Sequence, residues 1–205
     1  MPAILHNRAI HFAILLALLC IGLQLFGLEQ LLRFDRQALQ SGNWWLLLTG
    51  NFVHLNWNHL LLNMTGLLLV VLLVWVNFQA SEWAIIVLAS SLGVGLGLYV
   101  RDPDVSWYVG FSGTLHGLII AGAIADLRRF PVNAAVLLVV VIAKLAWEQL
   151  YGAVPGSESA AGGRVIVNSH LYGAISGLLI VGPLLIYQNI KAPPVTTKKA
   201  EKEDN

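Results

Sequence analysis

Three polar clusters interrupt an otherwise apolar chain: His54-x4-His59-x3-Asn63, Gly110-Phe111-Ser112-Gly113 and Ser169-His170-x2-Gly173-x3-Gly177. Each stands at the start of a hydrophobic stretch long enough to cross a bilayer. Polar and ionisable groups are costly in lipid and are retained there for a task. A serine, a late histidine and a set of hydrogen-bond donors are the parts of a serine hydrolase built inside a membrane. Serine becomes a nucleophile with the help of a base, and neutral imidazole is the usual one, so Ser112 and His170 are the candidate pair. His59 and Asn63 are four apart and share a helix face. Both can donate to a developing oxyanion, where each such donor is worth ~10²–10³ in rate in soluble serine hydrolases.

Each cluster also has a purely structural reading. Ser112 could cap a helix, with Gly110 and Gly113 as packing residues. His170 could be a buried histidine satisfied by hydrogen bonds, with Gly173 and Gly177 giving its helix a small-residue face for close contact with a neighbour. His59 and Asn63 could be interhelical polar glue, and His54, more than a turn earlier, falls in the loop before the helix. A metal is the rival use for His54, His59, His116 and His170. Only Glu148 offers a carboxylate at their depth, and the close ligand pairs of helical metal sites are missing. The expectation is therefore no metal and no organic cofactor. Lys144 and Glu148 are four apart and can pair along a helix, which lowers the cost of placing both in lipid. They read either as an internal ion pair or, with Trp147, as a substrate-recognition group beside the serine, where the carboxylate could bind an amine or tune His170.

Composition sets the class of protein that must position these residues. The chain has 205 residues, 57% of them hydrophobic and 11% charged, against about 25% charged in a soluble domain. With a mean hydropathy of +0.72 it reads as an integral membrane protein. Its net charge of +1 carries no basic stripe that would suggest nucleic acid. Cys20 is the only cysteine, which excludes an internal disulfide.

Six hydrophobic spans can be drawn, over residues 10–28, 56–76, 83–100, 112–127, 132–150 and 165–187. Leu, Val and Ile run through them without the alternation of a barrel strand, so they predict an all-α bundle occupying residues 1–190. Residues 191–205, with Pro193-Pro194 and several lysines, predict a disordered charged tail. The fourth span is too short for a ~30 Å hydrocarbon core at ~1.5 Å per residue. The irregular stretch before it should then dip into the protein and set Ser112 below the surface, at a helix start. Six spans put both termini on one side, with Arg8, Arg128, Arg129, Lys191, Lys198, Lys199 and Lys202. That bias predicts cytoplasmic termini and places His54, His59, Ser112 and His170 together in the opposite half of the bundle.

With these motifs in this order, the chain resembles the rhomboid intramembrane serine proteases over residues 43–178. The resemblance implies a six-transmembrane-helix bundle, with Ser112 as nucleophile, His170 as base, and His59, Asn63 and the Ser112 N–H as oxyanion donors. It also implies a Ser–His dyad that needs no carboxylate, and substrate access between spans two and five, near Trp147 and Glu148. Two residues depart from the family pattern: His116 replaces the aromatic residue that packs on the catalytic histidine, and Trp44-Trp45 stands where a Trp-Arg pair is usual. His116 should stack on His170, or hydrogen-bond Glu148. The segment 110–117 and Lys144…Trp147-Glu148-Gln149 look more like the rhombosortase branch. That likeness implies a bacterial inner-membrane enzyme whose site opens to the periplasm. It would remove membrane-anchored C-terminal tails of Gly-Gly type by hydrolysis or by transfer to an amine. The expected partners are such substrates and the lipid bilayer; oligomeric state is not legible. The other readings are a general rhomboid protease with other transmembrane substrates, a non-catalytic client-binding relative, and a transporter using Lys144 and Glu148. The last lacks the broken paired spans of that class.

Overall fold

A computed structural model describes residues 8–191. Apart from Lys191, the expected charged tail lies outside the described residues, with Lys198, Lys199 and Lys202. Six long helices make the fold: α1 (Arg8–Leu25), α2 (Trp57–Val74), α3 (Ala80–Arg101), α4 (Ser112–Asp126), α5 (Pro131–Tyr151) and α6 (Val167–Lys191). The spans read from the sequence fall on these six. All but α4 are long and apolar enough to cross a membrane.

The bundle is built around α4. Its run of small residues, with Gly113, Gly117, Ala121, Gly122, Ala123 and Ala125 buried, lets α6, α3, α2 and α5 pack against it. Large apolar side chains face outward instead, among them Leu15 and Leu18 of α1, Leu68 and Leu72 of α2, and Val136 and Val139 of α5. An apolar exterior around a bundle whose central helix is lined with small residues fits lipid as the solvent.

The first span was expected to run to 28 but ends at Leu25, and residues 29–55 were not expected to form helix. They hold three short helices, Glu29–Leu32, Arg36–Gln40 and Leu46–Thr49, and a strand β1 (Phe34–Asp35). β1 pairs antiparallel with β2 (Trp107–Tyr108), Phe34 opposite Tyr108 and Asp35 opposite Trp107. Elements this short are below the reach of hydrophobic periodicity; side chains fix them instead. The Asp35 carboxylate accepts from the Ala38 N–H at 3.1 Å and caps the second short helix. The Arg36 guanidinium donates to the carbonyls of Leu98, Tyr99, Asp102 and Val105 at 2.7–3.0 Å, gathering the C-terminal end of α3 and the chain leaving it.

The path into α4 confirms the expected dip. Residues 108–111 are all buried, and the Gly110 N–H donates to the Gly50 carbonyl at 3.1 Å. Gly110 has φ +125°, a conformation open in practice only to glycine. This turn delivers Ser112 as the first residue of α4, inside the protein.

Candidate active site

The starts of α2, α4 and α6 converge on one cavity of about 780 Å³. Ser112, at the head of α4, places its Oγ 2.9 Å from His170 Nε2 in the first turn of α6. Fifty-eight positions separate the two residues, and glycines bring them together. A Cβ on Gly173 would sit 1.8 Å from the Gly113 carbonyl oxygen, and one on Gly177 would sit 2.2 Å from that of Gly117. The small-residue face of α6 therefore meets the small-residue face of α4, as its spacing predicted.

The other nitrogen of His170 is also occupied. Its Nδ1 lies 2.9 Å from Glu148 Oε2 and 3.0 Å from Oε1. Lys144 Nζ donates to Glu148 Oε1 at 2.7 Å and stands 3.3 Å from the same Nδ1. The Glu148 side chain is 2% exposed and that of Lys144 36%. Of the two roles read for Glu148, binding an amine or tuning His170, this geometry fits the second: a carboxylate stands behind the histidine. The dyad followed from the family pattern, whereas here the C-terminal half of α5 turns Glu148 toward α6. The carboxylate is spent on His170 and Lys144, so it is not a free substrate ligand. Trp147, expected near the entry path, stands apart from this group. It does not line the cavity; it is 45% exposed and packs on Tyr151 at 4.8 Å between ring centroids.

His116 stacks on His170, with ring centroids 4.4 Å apart and planes at 22°. Its Nδ1 donates to the Ser112 carbonyl at 2.7 Å. Of the two expectations for this residue, stacking is what the geometry gives. His116, Glu148 and His170 offer ligand atoms within 4.8 Å of one another. The Lys144 ammonium already neutralises that carboxylate, so a metal cation would have to displace a positive charge in contact with it.

His59 and Asn63 line the cavity opposite. The His59 ring rests on Gly110, where an added Cβ would come within 2.7 Å of it. Asn63 Nδ2 donates to the His59 carbonyl at 3.1 Å, which uses one of its two amide hydrogens and leaves the other for a ligand. Ser112 opens α4, and the first N–H groups of a helix have no intrahelical acceptor. Asn56 starts α2 by accepting from the His59 N–H at 2.9 Å. Its amide donates to the Ala161 carbonyl at 3.0 Å, tying the outer loop before α6 to the same point. His54 lies in the loop before α2, as expected, but is fully buried there and meets His59 edge-on at 5.3 Å. Burial, and then His59, push it down to about 3, so it is a neutral ring.

Tyr108 was missed in the sequence. It lines the cavity, 4% exposed, and donates to the Gly110 carbonyl at 2.7 Å. Its hydroxyl also interacts with Ser112, Ser169 and the Gly113 backbone, and burial raises it to about 12. The Trp107-Tyr108 dipeptide just ahead of the serine turn was the available signal.

Leu62, Gly66 and Leu69 of α2 face Val141, Lys144 and Glu148 of α5 across the cavity. A half-buried serine and a buried histidine thus meet beside an apolar slot between two helices of a multi-pass membrane protein. The rhomboid domain family matches residues 41–187. The chain belongs to the rhomboid family, whose function is intramembrane proteolysis. A search of curated proteins finds no matching relative.

Proposed function

We propose that this chain is a serine endopeptidase of the bacterial inner membrane, with cytoplasmic termini and a site open to the periplasm. Its substrates are membrane-anchored C-terminal tails of Gly-Gly type. The observation that carries this reading is the 2.9 Å contact between Ser112 Oγ and His170 Nε2 at the wall of the α2–α5 cavity. A tail helix enters between α2 and α5. Glycines near its end unwind easily and expose backbone to attack. Ser112 Oγ attacks the peptide carbonyl while His170 Nε2 takes its proton. His59, Asn63 and the Ser112 N–H hold the oxyanion. The C–N bond then breaks, and His170 returns the proton to the departing amine. Water, or an amine acceptor, attacks the resulting acyl ester; its proton passes through His170 and Ser112 is restored.

The test compares the mature C-termini of secreted proteins from cells carrying the wild-type chain or Ser112→Ala. Gly-Gly-type tails should be removed only by the wild type. Termini unchanged between the two would overturn the tail reading. Failure of a fluorophosphonate to label the wild type would overturn the serine-protease reading itself.

A further inference from the structure

We infer that Glu148 is a positioning residue that fixes the working tautomer of His170, and that Lys144 is its counter-ion and not a substrate ligand. The inference rests on the Ser112–His170 reading above. To take the serine proton, His170 must present a lone pair at Nε2 and so carry its hydrogen on Nδ1. That hydrogen needs an acceptor. Two kinds of group reach Nδ1, and they demand opposite tautomers. The Glu148 carboxylate, at 2.9 and 3.0 Å, only accepts. The Lys144 ammonium, at 3.3 Å, only donates. If Nδ1 accepted from Lys144, the hydrogen would move to Nε2 and point at Ser112, and the base would be lost.

The distances settle which partner holds the ring. Both carboxylate oxygens are closer than the ammonium, and Lys144 makes its shorter bond, 2.7 Å, to Glu148 Oε1. From α4, His116 donates its Nδ1 hydrogen to the Ser112 carbonyl and meets His170 face to face, a stacking geometry and not an in-plane hydrogen bond to Nδ1. The remaining role of Lys144 follows from burial. A carboxylate 2% exposed in a membrane helix is costly unless paired. Lys144, one turn earlier on α5, supplies that pairing from the cavity side. When His170 takes the proton, the carboxylate faces the new imidazolium as the aspartate does in soluble triads.

The experiment uses the full chain in detergent. The rate of fluorophosphonate labelling is measured at saturating and at limiting probe for the wild type, Glu148→Gln, Lys144→Met and the double variant, with Ser112→Ala as blank. Glu148→Gln should slow the saturated rate by about 10²-fold or more, with probe affinity held within about threefold. The double variant should match Glu148→Gln, because Lys144 acts only through Glu148. Should Glu148→Gln misfold around an unpaired lysine, the double variant, which removes both charges at similar shape, carries the test. ¹⁵N NMR of histidine-labelled protein should find the His170 hydrogen on Nδ1 in the wild type. A double variant that labels as fast as the wild type would overturn the role of Glu148. Fully additive losses would overturn that of Lys144. Either result, with the wild type labelled and Ser112→Ala blank, leaves the protease reading standing.

Discussion

Replacing Gly173 by alanine tests whether helix contact sets the chemistry. The added Cβ would lie 1.8 Å from the Gly113 carbonyl oxygen. An ordinary carbon–oxygen contact is about 3.3 Å, so α4 and α6 must part there by roughly 1.5 Å. Gly173 is one turn beyond His170, and Gly113 adjoins Ser112, so the displacement passes to the 2.9 Å Ser112–His170 bond. A bond of that length cannot absorb it and remain within the ~3.5 Å reach of a hydrogen bond. Misplacing reacting groups by about 1 Å costs on the order of 10²-fold in rate, while overpacking costs about 1–3 kcal/mol in stability. Gly173→Ala should therefore fold, with a lower melting temperature, and lose about 10²-fold or more of its fluorophosphonate labelling rate. Gly182→Ala is the control on the same helix. Apart from its own helix neighbours, nothing lies within 4 Å of its Cβ, so alanine there presses on no other helix. Labelling of Gly173→Ala at the wild-type rate would refute the reasoning. So would an equal loss in Gly182→Ala.

Other expectations follow from the same geometry. His59→Ala and Asn63→Ala should each lower kcat for tail cleavage by ~10²–10³ with a smaller change in KM; a loss confined to KM would remove them from the oxyanion site. Arg36→Gln, which breaks the guanidinium's grip on four carbonyls, should cost about 2 kcal/mol. Roughly 4–8 °C in the melting temperature is expected, and no change would show that the end of α3 is held otherwise. His54, in the loop before α2, falls from 6.5 to about 3 on folding. Below pH 6.5 the unfolded chain binds a proton there that the folded chain refuses, so stability drops by about 1.4 kcal/mol per pH unit through that window. His54→Gln should flatten the decline of melting temperature between pH 6.5 and about 4; a slope equal to the wild type's would refute the assignment.

The six helices were legible because lipid demands long apolar runs, and the ends of α2, α4 and α6 because polar residues cluster only there. The meeting of Ser112 with His170 was legible for the same reason: equal depth and matching glycines leave few ways to pack. Glu148 was legible only in part: the sequence offered it as an amine ligand or as a group that tunes His170, and did not choose. Its pairing with Lys144 is a local i, i+4 relation that a sequence displays. Its contact with His170, twenty-two positions away, depends on the rotation of α5 about its own axis. An apolar helix with much of its surface facing lipid carries little in its sequence to fix that angle. The outer layer between α1 and α2 was hidden by scale, since helices of four or five residues and a two-residue strand leave no periodic trace. Arg36 and Asp35 organise it through single hydrogen bonds that composition cannot announce.

The rotation that hides Glu148 from the sequence also restricts how a substrate can enter. α5 is held to the bundle by a small apolar seam, Val141 and Leu145 against Ile120 and Ala174, and by the contact of Glu148 with His170. If α5 swung outward to admit a tail helix, Glu148 and Lys144 would leave together, and the ring would lose the acceptor that holds its Nδ1 hydrogen. Opening at α5 and catalysis would then exclude each other, whereas displacement of α2 leaves the Glu148 contact intact. A cysteine pair tying α5 to α4 through the Ile120–Val141 seam should accordingly leave tail cleavage within about threefold of the reduced protein. A reducible bis-thiol cross-linker joining cysteines at Leu69 and Val141 across the cavity should abolish cleavage until it is reduced. Loss of cleavage on tying α5 to α4, with fluorophosphonate labelling intact, would show that α5 is the moving wall. The contact between Glu148 and His170 would then have to re-form after the substrate is seated.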